Sequence, residues 1–166
     1  MKKFSLVIIA LAIYIVGCDH GISPKVEPPR TGFSGKIIFV GSWPNDVYQT
    51  RVVAFRETIR TPADFNVLNV GFISDTIPYG VSEFIYESDK NPLIAPQPSA
   101  KFNYIVVAQS IVPNPAPIRE HWRVAGIYLD PADSTKYGSV KIEEGIFKRN
   151  IDIKVDFNNP PPQPPN

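Results

Sequence analysis

Proline sets the tightest limit on what this chain can fold into. Eighteen of its 166 residues are proline, spread from Pro24 to Pro165. Each lacks a backbone N–H and fixes φ near −65°, so a helix does not run through it and a central strand does not contain it. No window between the prolines sustains a helical period of three or four turns. Alternation of period two recurs instead, the mark of half-buried strands.

The pattern begins at Ser34–Val40 (SGKIIFV), which ends in the turn-forming cluster Gly41-Ser42-Trp43-Pro44-Asn45-Asp46. Val47–Phe55 follows, with Val47, Val53 and Phe55 on one face and Tyr48, Val52 and Ala54 on the other. Asn66–Ile73 and Ser82–Tyr86 read as shorter strands. Lys101–Ser110 places Phe102, Tyr104, Val106 and Ala108 on one face and Ile105 and Val107 opposite. In His121–Leu129, Trp122, Val124, Gly126 and Tyr128 alternate with Ala125, Ile127 and Leu129. Gly138–Glu143 is a short strand closed by Glu144-Gly145. Asn150–Phe157 alternates most cleanly, Ile151, Ile153, Val155 and Phe157 against Asp152, Lys154 and Asp156, so one face belongs in a core and the other in water. Seven or eight such strands predict an all-β fold, a single antiparallel β-sandwich of two sheets.

The N-terminus carries a different signal. Lys2 and Lys3 precede an apolar run, Phe4–Val16, which is too short to span a bilayer and is followed by Ile15-Val16-Gly17-Cys18. This arrangement resembles the lipobox of bacterial lipoproteins, in which the cysteine is acylated and becomes the new N-terminus. The resemblance implies a signal peptide over 1–17, lipidation of Cys18 and a membrane-anchored protein of the bacterial cell envelope, with the membrane and leaflet left open. An ordinary secretory signal with a chance cysteine, or an uncleaved anchor, is the plainer alternative. Cys18 is the only cysteine, so no thiol remains for a disulfide, a metal site or catalysis.

Residues 18–32, with Pro24, Pro28 and Pro29, read as a flexible tether. Residues 33–157 read as the sandwich domain, and 158–166 (NNPPPQPPN) as a solvated, disordered tail or, alternatively, a polyproline ligand. Removal of Lys2 and Lys3 takes the formal charge from +1 to −1. That near-neutral balance offers no basic stripe for nucleic acid.

The strand order GKIIF (35–39), VVAF (52–55), FNYIVVAQ (102–109), WRVAGIY (122–128) and NIDIKVDF (150–157) resembles the prealbumin-like sandwiches, among them the carboxypeptidase regulatory-like and transthyretin-like domains. The resemblance covers most of the domain and implies a non-catalytic module for adhesion, spacing or partner binding.

Residue by residue, chemistry is sparse. His20 and His121 are the only histidines, and no G-x-S-x-G elbow accompanies them, so a hydrolase would depend on His121 as its base. Tyr137-Gly138-Ser139 resembles part of the Tyr-Arg-Gly-Ser motif of hydroxyisourate hydrolases but lacks the arginine. Asp130-Pro131-Ala132-Asp133-Ser134 clusters carboxylates, as a calcium loop or as a turn capping its own backbone. No cofactor is implied. Trp43 sits in a turn, where its ring could stack on a sugar with Asn45, Asp46 and Tyr48 supplying polar contacts, or could fold back over the sandwich. Trp122 reads as core. Pro113-Asn114-Pro115-Ala116-Pro117 is a stiff loop that would lose little entropy on contact. The expected function is a lipid-anchored, non-catalytic module that contacts another envelope component, with a protein as partner. A glycan-binding module at Trp43 is the alternative, and a transthyretin-like small-molecule hydrolase a minor one.

Overall fold

A computed structural model describes residues 28–165; the segment expected to be a signal peptide, Cys18 and most of the segment expected to be a tether lie outside the described residues. The fold is all-β. Its strands are β1 (Gly32–Val40), β2 (Gln49–Phe55), β3 (Val70–Ile73), β4 (Glu83–Glu87), β5 (Lys101–Phe102), β6 (Tyr104–Ser110), β7 (Trp122–Ile127), β8 (Leu129–Asp130), β9 (Asp133–Tyr137), β10 (Val140–Lys141), β11 (Phe147–Lys148) and β12 (Ile153–Asp156). Short 3-10 turns occupy Pro62–Asp64 and Arg119–His121.

Eight strands form one sheet in the order β11-β1-β12-β7-β6-β2-β3, with β4 also on β1. Two small pairs, β5 with β10 and β8 with β9, stand apart from it. The expectation of antiparallel pairing holds for β2 with β3 and β6, β6 with β7, β7 with β12, and β1 with β4. It fails at β1, which runs parallel to β11 and β12. A tight turn joins only antiparallel neighbours; first and last strands, separated by a long connection, are free to pair in parallel.

β11 and β12 are two halves of one pass along β1. Phe33 lies opposite Lys148 and Ile37 opposite Ile153, so one extra residue enters between them. Asn150, at φ +64°, lies in that interval in the left-handed conformation that asparagine tolerates. Gly35 faces the kink: a Cβ there would fall 1.9 Å from the Ile151 carbonyl oxygen. The Gly-Lys step that reads as ordinary strand in the sequence is thus where two backbones meet.

The central strands are covered on both faces. Val52 and Ala54 of β2, with Ile105 and Val107 of β6, join Phe33, Ile37, Phe72, Tyr86, Phe102, Ile151, Ile153 and Val155 in the larger cluster. Val53 and Phe55, with Tyr104, Val106 and Ala108, join Ile59 and Val124 in a smaller one. The alternation read from β2 and β6 therefore assigns faces correctly, with one exception. Phe102 lies in the larger cluster because Asn103 breaks the strand there, its N–H donating to the Phe55 carbonyl at 3.1 Å.

β7 also departs from simple alternation. Val107 pairs with Gly126 but Ala108 pairs with Val124, which leaves Ala125 as a bulge. The bulge swaps the faces beyond it: Tyr128 enters the larger cluster, while Ile127 packs on the smaller. Asn66–Ile73, expected as a strand, begins as a turn and becomes β3 only at Val70. Asn66 and Asn69 cause this, because their side chains bind nearby backbone groups that a ladder would otherwise use. The segment read as a solvated tail lies against β7. The Gln163 side-chain amide donates to the Val124 carbonyl and accepts from the Val124 N–H, both at 2.8 Å, and Pro164 is buried. Its proline neighbours have no N–H to give, so the glutamine side chain pairs in place of backbone.

Candidate functional site

The residues singled out from the sequence are dispersed rather than gathered. Trp43 folds back, its ring 4.5 Å from Phe39, 5.1 Å from Tyr79 and 5.2 Å from Phe157, and its indole N–H donates to the Val81 carbonyl at 3.0 Å. Asp46 is engaged elsewhere, in a bidentate pair with Arg123 at 2.7 and 3.0 Å. The Arg123 guanidinium holds that carboxyl below the usual carboxylate range. Tyr48 is exposed. Among the described residues no hydrogen bond joins these three side chains.

The remaining candidates have local structural work. His121 Nδ1 accepts the Ala116 N–H at 2.9 Å. Tyr137 packs on Tyr104 at 5.0 Å, and Gly138 donates to the Tyr128 carbonyl. Asp130 accepts from the Ala132 N–H, and Asp133 from the N–H and hydroxyl of Thr135. The ammonium of Lys136 and those Thr135 contacts hold the Asp133 carboxyl below its ordinary range. Among the described residues no three His, Cys, Asp or Glu side chains are placed to share a metal ion. No described helix is long and apolar enough to cross a membrane.

What the structure does build is an apolar groove of about 380 Å³ on the smaller-cluster face. Its floor is made by side chains of three adjacent strands: Val53 and Phe55 of β2, Ala108 of β6 and Trp122 of β7. Alternation points all of them to the same side. Ala108 matters by its size, because a larger residue at the centre of the floor would fill the space. One wall comes from Ile73 and Val70 of β3, with Phe65, Asn66, Val67 and Leu93. The opposite wall is Pro115 and Pro117.

Both walls are held firmly. In the first, Asp64 accepts the N–H groups of Arg60 and Thr61 and the Thr61 hydroxyl; those backbone donors keep its carboxyl below the usual range. Arg56 donates to the Leu68 and Val70 carbonyls. Asn66 and Asn69 tie the remaining backbone of the turn. This bracing carries two aliphatic side chains outward, Val67 at 64% exposure and Leu68 at 82%. In the second wall, Ala116 between its two prolines has both backbone groups satisfied, by His121 Nδ1 and by the Trp122 indole N–H at 2.9 Å. The two aromatic residues that opened the 121–129 strand in sequence therefore hold the proline loop in place.

Polar groups are few here. Arg51 and Gln49 line the groove; the Arg51 guanidinium donates to Gln49 Oε1 at 3.1 Å and to the Ser74 carbonyl at 2.7 Å. Behind Trp122 a recess of about 20 Å³ is lined by Phe55, Ala108 and Arg119. Arg119 is buried and donates to the Trp122 and Pro164 carbonyls, while its Nε has no partner among the described residues. No aspartate or glutamate lines either space.

Sequence reasoning marked only two parts of this groove, the stiff 113–117 loop and Trp122, the latter as core. The rest comes from stretches far apart in the chain, each of which reads as ordinary strand or turn. No protein-family model, curated protein or solved structure matches the chain.

Proposed function

We propose that this chain is a non-catalytic binding module of the bacterial envelope, anchored through lipid on Cys18, and that the groove between β3 and the 113–117 loop is its contact site. The observation that carries the reading is the groove itself, whose size lies in the range of small-ligand sites and whose lining is apolar with only Gln49, Arg51 and Asn66 as polar side chains. A lining without histidine, carboxylate, serine or cysteine supports binding rather than group transfer.

The finer architecture belongs to the same proposal. One sheet curling over its larger cluster, with a second cluster on its outer face, is consistent with a single sandwich of prealbumin-like type in which β1 is a mixed-pairing strand. The lipobox resemblance of residues 15–18 supports the anchor and the envelope location. The partner we propose is another envelope protein, met at the walls of the groove.

In-cell crosslinking of the full lipidated protein tests both parts, read by mass spectrometry beside Cys18→Ser and Ala108→Leu variants. Membrane attachment lost in Cys18→Ser and crosslinks mapping to the groove walls in the parent support the reading. Attachment that survives Cys18→Ser overturns the anchor; groove-wall crosslinks that survive Ala108→Leu overturn the contact site.

A further inference from the structure

Resting on the binding-module reading, we infer that the groove takes a single-chain anionic amphiphile, its hydrocarbon chain over Ala108 and its acidic head on Arg51. The floor of Val53, Phe55, Ala108 and Trp122 offers a guest no hydrogen-bond partner; the polar side chains of the lining are Gln49, Arg51 and Asn66, and of these Arg51 alone carries a charge. A peptide laid there would bury backbone N–H and C=O groups against hydrocarbon, a penalty for every group left unpaired. An alkyl chain has no such groups. It also suits the exposed aliphatic rim of Val67 and Leu93, which would cover the part of the chain emerging from the groove.

Charge selects the same guest independently of the apolar floor. Arg51 is held at the groove by Gln49 and the Ser74 carbonyl, both uncharged, and no carboxylate pairs with it among the described residues. Arg119, on the same face behind Trp122, is also bound only to carbonyls. Arg123, which also lines the recess, is paired with Asp46, so Arg51 and Arg119 are the lining guanidinium groups without a carboxylate partner among the described residues. A positive field in an apolar cleft favours an anion. A planar guanidinium further selects a carboxylate or phosphate, which it can bind in bidentate fashion.

The test uses membranes that hold the full lipidated protein and two diazirine-bearing photoprobes of equal chain length, a dodecanoic acid and the matching dodecanol. Labelled residues are mapped by mass spectrometry. The acid probe is expected to label the groove lining, to be displaced by dodecanoate, and to outdo the alcohol about tenfold or more. Arg51→Gln should abolish that preference while leaving alcohol labelling intact, and Arg51→Lys should keep part of it. Ala108→Leu should block both probes; protease resistance equal to the parent shows that each variant is folded. Equal labelling by acid and alcohol in the parent, or a preference unchanged in Arg51→Gln, overturns the anionic head and leaves the groove standing. Absence of both probes from the groove overturns the amphiphile, while a protein contact at the same walls would still register in the crosslinking experiment above.

Discussion

The two faces of the central sheet are built from the same strands and differ in how they are closed. On the larger-cluster face the cover is regular structure. Phe33 of β1 packs on Phe72, Phe102 and Tyr86 of β4, with ring centroids 5.0 to 6.1 Å apart and edge-on or tilted contacts. Phe33, Phe72 and Phe102 are fully buried, and the Tyr86 hydroxyl reaches the Ile151 carbonyl at 2.7 Å. On the smaller-cluster face the cover is loops: the braced 56–70 turn, the proline loop and the C-terminal segment. Loops tied by side chain–backbone hydrogen bonds hold their own shape and leave a gap between them, whereas strands and rings interdigitate until none remains. The lesson is that one β-sheet can be sealed for stability on one side and left open for binding on the other, with β2 and β6 serving both.

Large-to-small substitution separates the two faces most strongly. Phe72→Ala on the sealed face should cost about 3–5 kcal/mol, read from the urea midpoint, and Phe65→Ala on the open face clearly less. Equal costs would mean that the two faces are closed alike. Gly35→Ala attacks the seam of the sealed face, where the added methyl meets the Ile151 backbone; a loss of about 1–3 kcal/mol or more is expected. Gln163→Ala removes the pairing of Val124 and should cost about 1–2 kcal/mol, with faster amide exchange at Val124 as its signature.

Ala108→Leu sharpens the contrast from the other side. It grows into the groove rather than into packed atoms, so stability should stay within about 1 kcal/mol while ligand labelling is lost. The smallest effect expected lies outside both faces. Arg30 pairs with Glu87 and Asp89 and holds both carboxyls below their ordinary range. Groups with lowered folded pKa values stabilise above the unfolded values, about 4, and lose that contribution as pH falls through the folded ones. Arg30→Ala should therefore narrow the stability difference between pH 6 and pH 3, as a small change in acid-unfolding midpoint.

Much of the fold was legible in the sequence. Ile153 and Val155 alternate with Lys154 and Asp156 because one side of β12 faces the core and the other water, and a one-residue pattern records that directly. Parallel pairing of β1 left no such trace, since alternation is the same in either direction. The Ala125 bulge was hidden too, because an inserted residue looks like a continued strand until its partner is known. Asp133–Tyr137 and Phe147–Lys148, which are strands here, are too polar or too short to carry a period.

The site was less legible for a physical reason. A groove is defined by what is missing between its walls, and its lining residues each resemble core when read alone. The stiff loop around Ala116 did point toward it. Two further signals could have: the aliphatics Val67 and Leu68 set between Asn66 and Asn69, and Ala108, small among large neighbours on β6.

The pairing of β1 with β12 has a further consequence, in the time domain. Ile37 finds its partner in Ile153, so the edge of β1 that faces the sheet stays open until nearly the whole chain has been made. Contacts so distant in sequence carry a large loop-closure cost and slow the search for the native state. Synthesis, which proceeds from the N-terminus, cannot complete this sheet before the segment around Asp156 emerges. Among the described strands the first to be made is thus held by β4 on one edge and secured on the other only when β12 arrives.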